Sequence, residues 1–425
     1  MSPISQSYQR WKNHLLRQKL FFTLAELRRA VKTSMADREQ KWSSQRLVSL
    51  SAVGPERGRA LFSYRIAGFL LPSHDPRIQI HTHYWQSVQM VRTLTELGYT
   101  VDVIDYSNTS FQPVETYHVF IDVRHNMERL AERLGKDCLK IFHLDSAHLL
   151  AHNSAEAQRL LDLLGRRGVT LPPQRHEPPN CGIDFADYAT ANAGEFSLST
   201  FRNARIPIYP LPAPAAHTLD WPPAKDWAAC RTRFVWLGSS GLVHKGLDLV
   251  LEAFAKMPNC HLTVCAPIDQ EQKFKQAYHR ELYATLNIET VGWIEMGSTA
   301  FQEIMRRSAA VVYPSCSEGL STSTIECMHA GLLPIVTYET GVPVGDFGFQ
   351  ISPCTVARIQ QLVHQVTQLP LAELKHRSEL AWKFARTHHT QETFTHAYRE
   401  ALEDILTRHQ RSSPPPLHGA VDKIR

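Results

Sequence analysis

The sequence has no cysteines spaced C-x-x-C. Its eight cysteines are scattered between Cys138 and Cys354, which argues against a disulfide framework or a zinc knuckle and for a reducing compartment. No apolar run approaches the ~18 residues of a membrane-spanning helix, and the N-terminus lacks the apolar core of a signal peptide. A cytoplasmic location is therefore expected. No G-x-G-x-x-G occurs, and no acid stands at a strand end ~20 residues beyond the glycines of 238–246, so a dinucleotide fingerprint is excluded. No D-x-D occurs either, which removes the obvious carboxylate pair for a divalent cation. No repeat of solenoid period is visible.

What is present is the composition of a folded protein. At 425 residues, with 43% hydrophobic and 20% charged residues, the chain is long enough for two cores. The net charge of +5 conceals an asymmetry. Residues 1–60 hold twelve Lys and Arg against four acids, a net +8, which leaves −3 for the rest. A core of that sign argues against nucleic acid as a partner. The stretch from Tyr8 to about Arg46 has helical spacing of Trp11, Leu15, Leu16, Leu20, Leu24 and Leu27 among basic residues. It reads as a helix that either lies on a membrane surface or packs on its own domain.

From Tyr64 the pattern alternates strand and helix, which implies a parallel sheet. Expected strands are Tyr64–Leu70, Thr100–Ile104, Tyr117–Val123, Cys138–Leu144 and Ala186–Thr190, with a helix over His83–Leu97. The Pro- and Ala-rich stretch 210–223 reads as a linker. A second series follows: strands Phe234–Leu237, His261–Cys265, Ile288–Val291, Ala309–Tyr313 and Leu333–Thr337, with helices Leu247–Lys256, Gln270–Leu286, Phe301–Arg307 and Ser321–Ala330 between them. Helices are expected over Val356–Val366, Leu371–His388 and Glu392–His409. The expected units are a basic extension (1–60), a first Rossmann-like domain (61–215), a second (225–388), a C-terminal helix (389–410) and a disordered Pro-rich tail (411–425).

The most informative segment is YPSCSEGLSTSTIECMHAGLLPIVTYETG, residues 313–341. A strand ends at Tyr313, a turn of small residues follows, then Glu318-Gly319 and a helix carrying Glu326. Ligands of open α/β sheets bind outside the carboxyl ends of strands. The helix start, Gly319 to Thr324, is small and hydroxylic, and its free amides suit a diphosphate. Carboxylates suit the hydroxyl pairs of a sugar and a ribose, because each accepts two hydrogen bonds. The plainer alternative makes Glu318 a capping acid and Glu326 an exposed helix residue.

With these residues in place, the chain resembles the GT-B glycosyltransferases, most closely glycosyltransferase family 4, whose signature is two Glu separated by seven residues in this strand–loop–helix setting. The resemblance implies two Rossmann-like α/β domains facing across a cleft, with the C-terminal helix packing back on the first. It implies that Glu318, with the amides of Gly319, Leu320 and Ser321, holds the donor sugar, that Thr322 and Ser323 hold the diphosphate, and that Glu326 binds the ribose. In GSSGLVHKG (Gly238–Gly246) the family's Lys-Gly matches Lys245-Gly246. Ser239 stands where the family has Arg and the loop is one residue longer, which leaves the second cation unidentified. Gly292, Trp293 and Ile294 match the strand end that reads the base. The first domain lacks the family's glycine pair and carries 72–86, PSHDPRIQIHTHYWQ, instead.

His125 and His143 end two expected strands on the first domain's side of the cleft. The resemblance implies a His there against the donor sugar, with an ordinary core role as the alternative for each. His81 and His83, two apart without a carboxylate, are a weak metal signal; no metal and no cofactor are expected. Glu195 opens a helix and could meet the acceptor or cap it. The implied reaction is retaining transfer from a nucleoside-diphosphate sugar to a hydroxyl acceptor, and a lipid-linked acceptor would give the basic extension its use. Two alternatives stay open: a sugar-nucleotide epimerase on the same fold, and a non-catalytic sugar-nucleotide-binding protein.

Overall fold

The computed structural model describes residues 44–80, 82–222 and 224–412. The helix expected over Tyr8–Arg46 and the tail expected over 411–425 lie almost wholly outside them; residues 411 and 412 belong to the last helix. Two parallel sheets organise the chain. The first holds seven strands in the order β1-β3-β2-β4-β5-β6-β7: β1 (Leu47–Leu50), β2 (Gly58–Tyr64), β3 (Tyr99–Asp105), β4 (Val119–Asp122), β5 (Leu139–Leu144), β6 (Tyr188–Asn192) and β7 (Ile208–Leu211). Only β1 runs antiparallel, pairing Leu47 with Ile104 along the edge of β3. The second holds six strands in the order β10-β9-β8-β11-β12-β13: β8 (Arg233–Leu237), β9 (His261–Cys265), β10 (Ile288–Thr290), β11 (Ala310–Tyr313), β12 (Leu333–Val336) and β13 (Phe349–Gln350). The central strands are mostly apolar because helices cover both faces of a parallel sheet; Phe234, Val235, Trp236 and Leu237 of β8 are all buried.

The helices that frame the site are α1 (Thr82–Glu96), α2 (Leu149–Arg167), α3 (Glu195–Thr200), α4 (Leu247–Phe254), α5 (Thr322–His329), α6 (Val356–Gln368), α7 (Leu371–His388) and α8 (Gln391–Ser412). Helix α8 lays Phe394, Tyr398, Leu402 and Ile405 against Phe62 and Trp85 of the first domain, with Trp85 and Phe394 edge to face at 5.8 Å.

Helix α2 follows β5 of the first sheet yet packs on the second domain. Leu163 is fully buried within that domain's core. Arg159 donates to the Pro314 carbonyl at 3.0 Å, and Arg166 pairs with Asp248 at 2.5 Å. Burial, with the nearby Glu252 carboxylate, pushes the Asp248 carboxyl up to about 6 against the pull of Arg159 and Arg166. The helix stops at Gly168, whose left-handed φ of 67° lets its amide close on the Leu164 carbonyl.

Four expectations are corrected. The first central strand is Gly58–Tyr64, not Tyr64–Leu70; at Gly68 the chain passes so close to α1 that an added Cβ would stand 3.2 Å from the Tyr84 carbonyl, so the apolar run turns instead of extending. The first sheet therefore begins at Leu47, inside the extension expected to reach residue 60, because the alternating LVSL finds a free edge on β3. The 210–223 linker begins as β7, an edge strand that tolerates Pro210. The helix expected over Gln270–Leu286 is two short ones, Gln272–Ala277 and His279–Tyr283, broken where buried Tyr278 stacks on Phe274 at 4.7 Å.

Candidate functional site

In each sheet the order reverses beside its first parallel strand, between β2 and β4 and between β8 and β11. Such switch points leave a crevice at the carboxyl ends of the strands, and here the two crevices face each other. Between them lies a cavity of about 380 Å³. Tyr64, Arg65 and His83 enter it after β2, Arg124 and His125 after β4, and Asp145 after β5; Ser239 and Lys245 enter after β8, and Tyr313 and Glu318–Ser323 after β11.

Contact this close needs glycine. A Cβ on Gly319 would stand 2.6 Å from the Asp145 carbonyl oxygen and 2.7 Å from that of Asn192. Without one, the Gly319 carbonyl accepts from the Gly194 amide across the domains at 2.9 Å. Gly246, at φ 74°, likewise leaves no room for a side chain beside the Pro314 carbonyl, and it starts α4 directly after Lys245.

Glu318 is the charged centre of the second domain's wall. Its Oε1 accepts from Lys245 Nζ at 2.8 Å, Ser315 Oγ at 2.9 Å and Tyr313 Oη at 3.2 Å. Burial alone would raise its pKa, but the Lys245 ammonium and the nearby Arg175 guanidinium overcome burial and hold it at about 2. Burial lowers the Lys245 pKa against the pull of Glu318, and the Lys245 ammonium is already paired with that carboxylate. The Glu318 amide donates to the Glu339 carbonyl at 2.9 Å, which fixes the turn. Ser321 caps α5, its Oγ accepting from the Thr324 amide, and Thr322 and Ser323 expose the helix start to the cavity.

The opposite wall is an ion-pair network. Arg124 lies between Asp145, at 2.8 Å, and Glu177. Its guanidinium sits 5.9 Å from the Tyr106 ring, and that of Arg65 stands 4.7 Å from the same ring. His83 Nδ1 is 2.7 Å from the Tyr64 hydroxyl. His125 lines the cavity half-buried, and that burial lowers its pKa.

The cavity thus brings together His83, His125, Ser239, Lys245, Glu318, Gly319, Leu320, Ser321, Thr322 and Ser323 of the residues singled out in the sequence. It does not bring the others. His143 is fully buried behind Tyr64; its Nδ1 lies 2.8 Å from Thr190 Oγ1 and its Nε2 2.9 Å from Gln86, and burial pushes its pKa down to about 4. It is a core histidine, because the β5 side chain at that position points into the layer under α1. Glu326 lies on α5 beneath the inter-domain linker, where its Oε1 accepts from the Ala216 amide at 2.5 Å. Burial raises its pKa to about 8. Gly238 packs on the Trp236 ring. Gly292, Trp293 and Ile294 form an irregular stretch off the cavity, with Trp293 60% exposed and Ile294 packed on the second core. Glu195 starts α3 and lines a different, mainly apolar cavity of about 800 Å³ beside Leu320, Val342 and Phe384. Among the described residues no group of three or more His, Cys, Asp and Glu side chains is placed to hold a metal.

Sequence reasoning missed Arg65, Arg124, Asp145, Arg175 and Glu177. Arg65, Arg124 and Asp145 sit at the ends of β2, β4 and β5, where the switch-point rule applied to charged residues would have found them. Arg175 and Glu177 lie in the irregular stretch PPQRHEPP, which carries no periodic signal.

Comparison with known proteins bears on the fold. Residues 231–369, within the second domain, match the family model described as Glycosyl transferases group 1. The comparison with curated proteins found no sequence match. Among solved structures, sucrose-phosphate synthase from Thermosynechococcus elongatus superposes with a TM-score of 0.59 at 13% identity, over 84% of this chain and 100% of that one. An α,α-trehalose-phosphate synthase (UDP-forming) from Burkholderia vietnamiensis gives 0.56 at 11%, over 85% and 99%. Against the pneumococcal O-GlcNAc transferase GtfA, determined with UDP and GlcNAc, the TM-score is 0.46 at 13% identity; the chain covers 57% of that protein and 68% of itself is matched. The fold is that of the GT-B glycosyltransferases.

Proposed function

We propose that this protein transfers a glycosyl unit from a nucleoside-diphosphate sugar to a hydroxyl acceptor, with retention of anomeric configuration and without a metal. The observation that carries the reading is the facing of two switch points across one polar cavity, with Glu318, Lys245 and the amide-rich start of α5 on the side that matches the glycosyl transferases group 1 description. The diphosphate lies at the helix start, where the Thr322 and Ser323 amides and the helix dipole meet negative charge, the Ser321 amide being taken by the Thr340 carbonyl. Glu318, held ionised, accepts hydrogen bonds from the sugar hydroxyls, and His125 meets the sugar from the other domain.

In the proposed reaction the bond from the anomeric carbon to the β-phosphate oxygen breaks. The acceptor oxygen forms its bond on the same face, and its proton goes to the departing phosphate. The protein then supplies positioning and leaving-group stabilisation, and no side chain acts as nucleophile.

The test is incubation with UDP-, GDP- and ADP-sugars, first alone and then with a panel of hydroxyl acceptors, read by mass spectrometry. Slow release of nucleoside diphosphate, accelerated by one acceptor with a new glycoside formed, is the expected result. Epimer formation without acceptor would make the protein an epimerase, and binding without turnover a carrier of sugar nucleotides.

No helix among the described residues is long and apolar enough to cross a membrane. Residues 1–43 carry nine Lys and Arg against three acids, interleaved with Trp11, Phe21, Phe22 and leucines. Each basic residue near an anionic surface contributes ~1 kcal/mol, which would bring the cleft to a lipid-linked acceptor. Salt-sensitive sedimentation with phosphatidylserine vesicles, lost in a chain starting at Ser44 that keeps its circular dichroism, is expected. Equal sedimentation of both chains would remove the membrane contact.

A further inference from the structure

Lys245 cannot by itself neutralise a diphosphate, because Glu318 already faces it at 2.8 Å. Another cation is needed, and the loop after β8 has Ser239 and Ser240 where one would be sought. Two basic side chains of the cavity wall, Arg65 and Arg175, form no ion pair with an acid among the described residues. Arg65 rests on Tyr106, on the first domain's side. Arg175 lies against the second domain: a Cβ on Gly241 would stand 2.5 Å from its Cγ and 2.8 Å from its Cδ. Its stem thus runs over the backbone of the loop that carries Ser239 and Lys245. Its charge is close enough to Glu318, Lys245 and Tyr313 to act on all three. Its Nε is buried without a hydrogen bond.

We propose that Arg175, a residue of the first half of the chain, is the cation that binds the donor's diphosphate opposite Lys245. This inference rests on the donor-site reading above and adds a residue to it.

The backbone around Arg175 is built to hold it there. The Glu156 carboxylate of α2 accepts from the Gln174 and Arg175 amides at 2.9 and 2.8 Å. His152 of the same helix donates from Nε2 to the Arg175 carbonyl at 2.8 Å. With that proton on Nε2, the ring accepts at Nδ1 from Ser317 Oγ at 3.1 Å, next to Glu318. The helix is in turn fixed to the second domain by Leu163, Arg159 and Arg166. Arg175 therefore keeps its place relative to the Glu318 turn although β7 and the inter-domain linker separate them in sequence. Gly241, at φ 90°, serves two ends, a left-handed turn and room for the arginine stem.

Calorimetry of the full chain with UDP, GDP and ADP, each beside its own nucleoside, tests this. In R175A the preferred diphosphate should bind at least tenfold more weakly while its nucleoside binds as in wild type, and the salt dependence of diphosphate binding should become shallower. R175A/S239R, which restores a guanidinium from the loop, should recover part of the loss. If R175A melts early, R175Q, which keeps the stem over Gly241, takes its place in the same comparison. Diphosphate affinity within twofold of wild type overturns the assignment and leaves the donor-site reading standing. Equal losses for diphosphate and nucleoside overturn it as well, since Arg175 would then act only through loop packing. If wild type binds none of the three diphosphates, the donor-site reading falls and this assignment with it.

Discussion

Glu318 and Lys245 meet at 2.8 Å across the turn after β11 and the turn after β8, with only 15% and 7% of their side chains exposed. The contact ties the two loops of the second switch point together before any ligand arrives. Removing one partner leaves a buried charge without its counterpart, which costs on the order of 3–5 kcal/mol. K245M and E318Q should each lower the urea midpoint accordingly. The double variant should lose less than the sum, because the two losses share one interaction. Strict additivity would show that the pair is not coupled in solution.

Glu318 and Glu326 should respond to pH in opposite senses. Glu318, held at about 2, contributes stability that is complete above the ordinary carboxylate value of 4.5 and is lost as pH falls toward 2. Glu326, raised to about 8, is favoured protonated in the fold. Its contribution is complete below 4.5 and is lost as pH rises toward 8. E326Q cannot ionise, so its stability relative to wild type should rise by on the order of a few kcal/mol between pH 5 and pH 8. Urea midpoints at pH 5, 6.5 and 8 check this; a constant difference would mean that Glu326 is ionised in the fold.

The two histidines should separate by what they damage. H143A removes a fully buried ring with two hydrogen-bond partners and should cost on the order of 3 kcal/mol. H125A empties part of the cavity wall and should cost less than about 1 kcal/mol while reducing turnover. Melting curves and single-turnover rates on the same preparations distinguish them; a stable H143A with reduced turnover would reverse the assignment.

Chelation should leave turnover intact. In the proposed reaction the leaving diphosphate is met by the start of α5, Lys245 and Arg175, and no step uses a metal. Rates measured with and without EDTA decide the point. Loss of activity that manganese or magnesium restores would place a metal in the reaction.

The sequence by itself determined most of the architecture of the second domain, all but the edge strand β13 and the helix break at Tyr278. Its strands and the Glu318 and Lys245 turns are local features, each set by an apolar run that ends in small residues, and β9 lies where its residues predicted. The sequence also carried the cleft, because strand-then-helix alternation yields switch points wherever the chain reverses its order. Which histidine reaches the cavity was not legible, since His125 and His143 both end strands and differ only in the layer above them. The burial of Glu326 depended on the path of the linker at Ala216, a contact between segments 110 residues apart. The place of Arg175 depended on α2 crossing to the other domain. Periodicity reports one face of one element, and these decisions were made by which elements came to lie against each other.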